Sequence, residues 1–350
     1  MGETIFLNIS FWIRSLLDSL GVPLLINDII MMIIKASVII IFLSLNVIWL
    51  ILMERKVCAY IQCRVGPNRV GPKGTLQTVA DVLKLLTKEF IVPRTADKVI
   101  YILAPLIVFV PPTLAFAVVP WGEGMVPVDM NIGVFYLIAV TSLSTIIFWM
   151  GAWGSNNKYA LIGGMRTVAQ MVSYELPLVL ALLGVVMITG TLNMSEIVAA
   201  QKNVWFIFTQ PLAFLIYFIA GISETNRTPF DLVEAESEII AGPYTEYSGM
   251  GWAMFMLTEY VSVMIISMMC VVMFLGGWLA PFGWTFLPSW FWFFFKVYLM
   301  IFLFMWIRWT YPRIRVDQLM GFGWKVLVPL SLANIFVTGV GMYVYRAIGW

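Results

Sequence analysis

The chain has 350 residues, 61% of them hydrophobic and 11% charged, with a formal net charge of +2 and a mean hydropathy of +0.93. That composition excludes an ordinary soluble domain, and so small a charge gives no reason to expect a nucleic-acid partner. Histidine is absent and there are three cysteines, Cys58, Cys63 and Cys270, so the usual haem, zinc and four-thiolate iron–sulfur ligand sets are missing.

Residues 1–28 read as an N-terminal interfacial segment. Over 4–20, Ile5, Ile9, Trp12, Ile13, Leu16, Leu17 and Leu20 recur at helical spacing, with Asn8, Arg14, Ser15, Asp18 and Ser19 largely opposite. The pattern predicts a short amphipathic helix lying in the membrane interface; a helix packed on its own bundle would show it too. Glu3 precedes the first basic residue, Arg14, so the charged start of a secretory signal is not expected.

Residues 29–346 then carry eight apolar runs, near 29–53, 99–119, 132–153, 168–188, 204–222, 252–275, 290–307 and 326–344, with a short tail at 347–350. Runs of about 20 apolar residues are the length of membrane-crossing helices. The expected class is all-α: a polytopic membrane protein with about eight transmembrane helices. The segment after the first run holds nine basic residues, from Arg55 to Lys98, and Arg308, Arg313, Arg315 and Lys325 follow the seventh. The segments after the second and sixth runs hold none. The positive-inside rule therefore puts the odd-numbered loops in the cytoplasm and both termini outside.

Three ionisable residues fall well inside runs: Glu175, Glu259 and Lys296. Taking the helices to start with the runs, Glu175 and Glu259 enter from the cytoplasmic side and sit at matching depth, roughly 10 Å in at 1.5 Å per residue. A carboxylate there costs about 2.5–3.5 kcal/mol on insertion scales, so it is read first as a functional group facing a polar interior. Bonding to a neighbouring helix for packing alone is the other reading. Pro177 is expected to open the helix locally beside Glu175. Lys35 is expected to snorkel; for Lys296, snorkelling and burial both stand.

Two charged loops lie between these runs. In loop 54–98, Gly66-Pro67-Asn68-Arg69-Val70-Gly71-Pro72 is turn-rich and cannot be helical, because proline fixes φ and glycine permits positive φ. No nucleotide cradle of the GxxxxGK[ST] or GxGxxG type is present, and the stretch reads as a docking surface. Residues 75–90 resume helical spacing and carry Asp81, Lys84, Lys88 and Glu89. In loop 223–251, Glu224, Asp231, Glu234, Glu236 and Glu238 crowd into fifteen residues with Arg227 as their cation, and Glu246 follows. Neighbouring carboxylates share and perturb one another's titration. If 232–241 is helical, Glu234 and Glu238 stand on one face. Phe230 reads as an exposed aromatic beside Asp231. A solvated acidic loop is the bland reading, but the interleaved Phe230, Leu232, Val233, Ile239 and Ile240 favour a folded, partly buried segment.

These two segments resemble the signatures of a known family. Glu54-Arg-Lys, with Gln62-Cys-Arg-Val-Gly-Pro-Asn-Arg-Val-Gly-Pro, and Glu224-Thr-Asn-Arg-Thr-Pro-Phe-Asp-Leu-Val-Glu-Ala-Glu-Ser-Glu are similar to those of the H subunit of bacterial NADH:quinone oxidoreductase. That enzyme is respiratory complex I, and the subunit is equivalent to mitochondrial NADH dehydrogenase subunit 1. The segments from Ser155 to Arg166, Ala169 to Glu175 and Arg313 to Trp324 fit as well, so the likeness covers essentially the whole chain.

The resemblance implies a multi-pass subunit of the bacterial inner membrane, forming the quinone-access chamber and an acidic channel coupling quinone reduction to proton translocation. It implies no redox cofactor in this chain, with quinone as substrate and with flavin and iron–sulfur clusters held by partners. Those partners would be the peripheral quinone-site and terminal-cluster subunits, small membrane subunits and antiporter-like subunits. Glu175, Asp231, Glu234, Glu236, Glu238, Glu246 and Glu259 would belong to proton coupling. Glu54, Arg55, Arg64, Asp81, Glu89, Arg227 and Phe230 would belong to the chamber or its docking face. The alternative is a stand-alone secondary transporter for a cation or small ion, against which stands the lack of an inverted repeat.

Overall fold

The computed structural model describes residues 2–19, 23–233, 236–284 and 286–347. All regular structure in them is helical, save an isolated bridge between Gly122 and Met125. Seven helical segments are long and apolar enough to cross a membrane, and an eighth, shorter apolar helix joins them. The chain is an all-α polytopic protein.

Helix α1 is Gly2–Ser19 and α2 is Leu24–Ile61. Arg14 pairs with Asp28 and Asn27 donates to Asp18 at 2.7 Å, tying α1 to the start of α2. After α2 the chain turns through Cys63 to Gly74, as the proline–glycine pattern requires. Gly74 sits at φ +78°, and a Cβ there would lie 2.0 Å from the Pro67 carbonyl oxygen; glycine alone closes this turn. Helix α3, Gln77–Thr87, is shorter at both ends than the periodicity suggests.

The second apolar run is one span in two pieces, α4 (Lys98–Ile107) and α5 (Val110–Phe116). Pro111 and Pro112 have no N–H for the preceding turn, and the helix restarts with proline in its first turn, where that loss is harmless. Helices α6 (Gly133–Gly154) and α7 (Lys158–Thr189) follow, then α8 (Met194–Ala200). Helix α7 opens on Asn157, whose side chain accepts from the Tyr159 amide at 2.9 Å, and closes on Gly190 at φ +71°. It runs unbroken through Pro177, so the proline leaves a carbonyl unpartnered four residues back without opening the helix.

The fifth run is interrupted too. A single turn, α9 (Phe206–Thr209), gives way to Gln210 at φ −132°, and α10 (Pro211–Glu224) begins on proline. A residue before proline avoids the helical region. The 14 residues of α10 rise only about 21 Å, against a hydrocarbon core of about 30 Å.

The acidic loop carries one helical turn, α11 (Glu236–Ile239), and not the longer helix expected over 232–241: Leu232 and Val233 lie outside it. The chain there folds back on itself, for Gly242 at φ +52° comes so near the Val233 carbonyl that a Cβ would lie 2.0 Å from its oxygen. Glu234 lies outside the described residues, so the expected Glu234–Glu238 face does too.

Helices α12 (Gly249–Phe274), α13 (Ser289–Thr310), α14 (Val316–Phe322) and α15 (Val328–Ala347) complete the chain, with a π-helical turn at Gly323–Leu327 between the last two. Helix α12 is the interior element: 78% of its apolar window is buried, against 22% for α2. It packs on α2, α5, α10 and α13, while α7 packs on α6, α10 and α15. Lys296 does not snorkel. Its Nζ donates to the Leu275, Gly277 and Leu279 carbonyls at 2.7, 3.0 and 2.6 Å and lies 4.3 Å from the Trp205 ring centre. All three of its donors are satisfied at the end of α12, where a cation also suits the helix dipole. Lys35 is exposed.

Candidate functional site

Helices α6, α7, α10 and α12 enclose a cavity of about 40 Å³, room for about three water molecules. Glu175 of α7, Glu224 at the end of α10 and Glu259 of α12 all line it, with Thr141, Ser144, Tyr217 and Asn226 among the other walls. Matching depth along the two helices is not what brings Glu175 and Glu259 together. Helix α7 begins ten residues before its apolar run, so Glu175 stands 17 positions after Lys158 while Glu259 stands 10 after Gly249. The two side chains meet instead at the cavity, which both line.

Each carboxylate has a different environment. Glu175 accepts a hydrogen bond from the Ser142 hydroxyl. Glu259, 6% exposed, accepts one from the Tyr244 hydroxyl at 2.8 Å and lies 3.8 Å from Arg227. Glu224 Oε2 is buried with no hydrogen-bond partner. Burying an ionised carboxylate so sparsely partnered is costly. The three carboxyl groups stand around one small space.

Helix α7 also builds the loop that carries Arg227. Gln170, buried one and a half turns before Glu175, donates to the Ser223 and Phe230 carbonyls, both at 2.8 Å. One side chain thus closes the turn 223–230. Within it Phe230 is not exposed, as its place in a charged loop suggested, but 5% exposed and packed on Tyr174 with ring centres 5.6 Å apart. Arg313 reaches Asp231 at 3.3 Å, and the Ile314 amide donates to the Pro229 carbonyl at 3.1 Å. Beyond Arg227, Glu54 of α2 is buried and paired with Arg308 of α13.

The other residues singled out from the sequence lie elsewhere. Glu238 pairs with Arg166 at 2.5 Å on an exposed edge. Glu246 accepts from Asn157 at 2.5 Å at the foot of α7. Glu236 is in α11, and Glu234 is outside the described residues. Arg55 and Asp81 form an ion pair at 2.5 Å that ties α2 to α3. Arg64 is exposed and donates to Gln62 Oε1 at 2.6 Å, and Glu89 is exposed. Glu54 and Arg227 belong with the buried acidic cluster, not with this outer face.

Sequence reasoning left two residues out of the site. Glu224 reads from the sequence as part of the charged loop, yet it lies seven positions after Tyr217, another cavity residue; that two-turn spacing on one helix is the available signal. Gln170 lies in the Ala169–Glu175 segment that shares the family likeness, but no residue pattern points to its partners, which are main-chain carbonyls. Among the described residues no group of three or more His, Cys, Asp or Glu is placed to hold a metal ion.

A sequence model of the family described as NADH dehydrogenase matches residues 34–339. The chain is 55% identical over 350 residues, all of both chains, to the NADH-quinone oxidoreductase H subunit of Carboxydothermus hydrogenoformans. It is 54% identical over 291 residues to the H subunit of Anoxybacillus flavithermus and 55% over 293 residues to that of Geobacillus kaustophilus, each match covering 83% of this chain and 87% of the relative. With matches over nearly its whole length, the chain belongs to the NADH dehydrogenase family, among the H subunits of NADH-quinone oxidoreductase.

Proposed function

We propose that this chain works as a membrane-arm subunit of a proton-pumping NADH:quinone oxidoreductase in the bacterial inner membrane. In this reading the cavity between α6, α7, α10 and α12 is part of the acidic path coupling quinone reduction to proton movement. The observation that carries it is the convergence of Glu175, Glu224 and Glu259, from three helices, on one water-sized cavity inside an apolar bundle. Quinone would approach from the side of α2 and α3, where Leu76, Leu83 and Leu86 are exposed beside the Arg55–Asp81 pair. That apolar face also suits the peripheral and small membrane subunits expected to complete the chamber. The family's cofactors, flavin and iron–sulfur clusters, would lie in those partners. The cavity's size favours water and protons over a transported organic solute, whose sites are typically about 300 Å³ or more.

Glu175→Gln with Glu259→Gln keeps the shape of both side chains and removes both titrations. In an assembled complex the double variant should lose most quinone-linked proton pumping while NADH oxidation by a hydrophilic artificial acceptor continues. Pumping at the wild-type proton-to-electron ratio would sink the reading.

A further inference from the structure

A second cavity, of about 20 Å³, lies on the other side of Arg227 and is lined by Glu54, Arg227, Tyr260 and Arg308. Arg227 is 7% exposed. Its Nη1 is 3.8 Å from Glu54 Oε1 and its Nη2 is 3.8 Å from Glu259 Oε2. Both distances are too long for hydrogen bonds, and Nε and Nη2 have no hydrogen-bond partner at all. The guanidinium lies 4.3 Å over the Tyr260 ring. A buried arginine ordinarily forks onto one carboxylate at about 2.7–2.9 Å. This one is held equally far from two, on a flat aromatic face that keeps its attraction as the cation slides. About 1 Å of travel either way completes one ion pair and loosens the other.

We propose that Arg227 is a movable ion-pair partner, passing between Glu54 on α2 and Glu259 on α12, and that it couples the protonation of one carboxylate to the release of a proton by the other. The idea rests on the acidic-cavity reading above. When Glu54 takes up a proton its negative charge is gone, and Arg227 closes on Glu259. The ionised form of Glu259 is then favoured, and its proton passes to water in the acidic cavity or to another carboxylate there. Proton uptake by Glu259 drives the reverse. No proton crosses Arg227, since a guanidinium does not give one up in a protein. Loss of the direct repulsion between the two carboxylates acts with the same sign.

The groups around the switch support this. From α2 Glu54 faces it; from α12, Glu259 and Tyr260 do; from α13, Arg308 reaches it through Glu54. Tyr244 holds the far side of Glu259. On its own segment Glu224 turns to the acidic cavity and Asp231 is engaged by Arg313. Arg227 is therefore a positioning residue that lines the second cavity and reaches the acidic one through Glu259.

The test is a mutant cycle in membranes carrying the whole complex, reading the pH midpoint of NADH:quinone reductase activity. Glu54→Gln mimics the protonated carboxyl and should move the acid-side midpoint to lower pH by at least about 0.4 unit, the lower end for coupled charges in one network. The shift should vanish in a Glu259→Gln background. It should fall by at least half with Arg227→Lys, which keeps the charge but loses the fork. Where a glutamine variant does not assemble, Glu54→Asp and Glu259→Asp, which retract the carboxylates, read the same dependence. Equal shifts with and without Glu259, or a shift that survives Arg227→Lys undiminished, overturn the switch. If Glu259→Gln lowers the proton-to-electron ratio while the shifts are independent, the switch alone fails. If the Glu175→Gln, Glu259→Gln double variant pumps normally, the acidic-cavity reading fails with it.

Discussion

Gln170 shows how much of the site rests on one uncharged side chain. Its amide satisfies two buried carbonyls, of Ser223 and Phe230, that bracket the turn holding Arg227. Gln170→Leu fills similar space but leaves both carbonyls without that donor, at about 1–3 kcal/mol for each buried group. The expected result is a complex whose quinone reductase activity is lost on heating at a temperature several degrees lower. An unchanged inactivation temperature would mean that the turn is held by its other contacts. Glu175 and Glu259 were legible in the sequence because a carboxylate within an apolar run is conspicuous. Glu224 was not, since a charge at the end of a run reads as loop until the helix is seen to continue to it. Arg227 was legible as a cation among acids, but its two partners come from α2 and α12, and no local pattern joins those segments.

At the scale of elements, α7 and the acidic loop meet at two glycines. A Cβ on Gly163 would lie 2.6 Å from the Gly242 Cα, and backbone cannot give way as a flexible side chain can. Gly163→Ala should therefore push the 242–247 segment, with Tyr244 and Glu246, away from α7, at about 1–3 kcal/mol. Gly321→Ala in α14, where nothing lies within 4 Å of the added atom, should be neutral or slightly stabilising. Complex content and reductase activity of the two variants measure the contrast, and equal behaviour would contradict the packing argument. The existence of the long helices followed from apolar length, but their ends did not. Helix α7 starts ten residues before the expected run, taking in Lys158 and Arg166, because Asn157 caps it there. The Pro111–Pro112 pair that divides α4 from α5 and the single Pro211 that divides α9 from α10 stand in plain view, yet hydropathy averages across them. The helix expected over 232–241 fails because a close approach between Val233 and Gly242 decides the backbone there, overriding local propensity.

The two ends of the molecule differ in kind. At one end the basic segments gather onto acids: Arg313 on Asp231, Arg308 on Glu54, Arg166 on Glu238 and Arg55 on Asp81. Their loops are stitched together there as well, Asn156 donating to the Thr95 carbonyl at 2.9 Å and Tyr101 to the Glu246 carbonyl at 2.7 Å. At the other end the Glu123 amide donates to Ser289 Oγ at 3.2 Å, beside the start of α13, and Lys296 is spent on main-chain carbonyls. The positive-inside rule assigns the first end to the cytoplasm. Lys73 and Arg315 are exposed at that end and Glu123 at the other. Cys58 and Cys270 are buried, and Cys63 is exposed, so Cys63→Ser gives a background with little accessible thiol. In it, Lys73→Cys and Arg315→Cys should react with a membrane-impermeant maleimide only in inverted vesicles, and Glu123→Cys only in intact cells. Both ends are fixed by the same bundle, so the three positions must switch together. Labelling of Lys73→Cys from outside would invert the whole assignment, and would put the face proposed to receive quinone on the wrong side of the membrane.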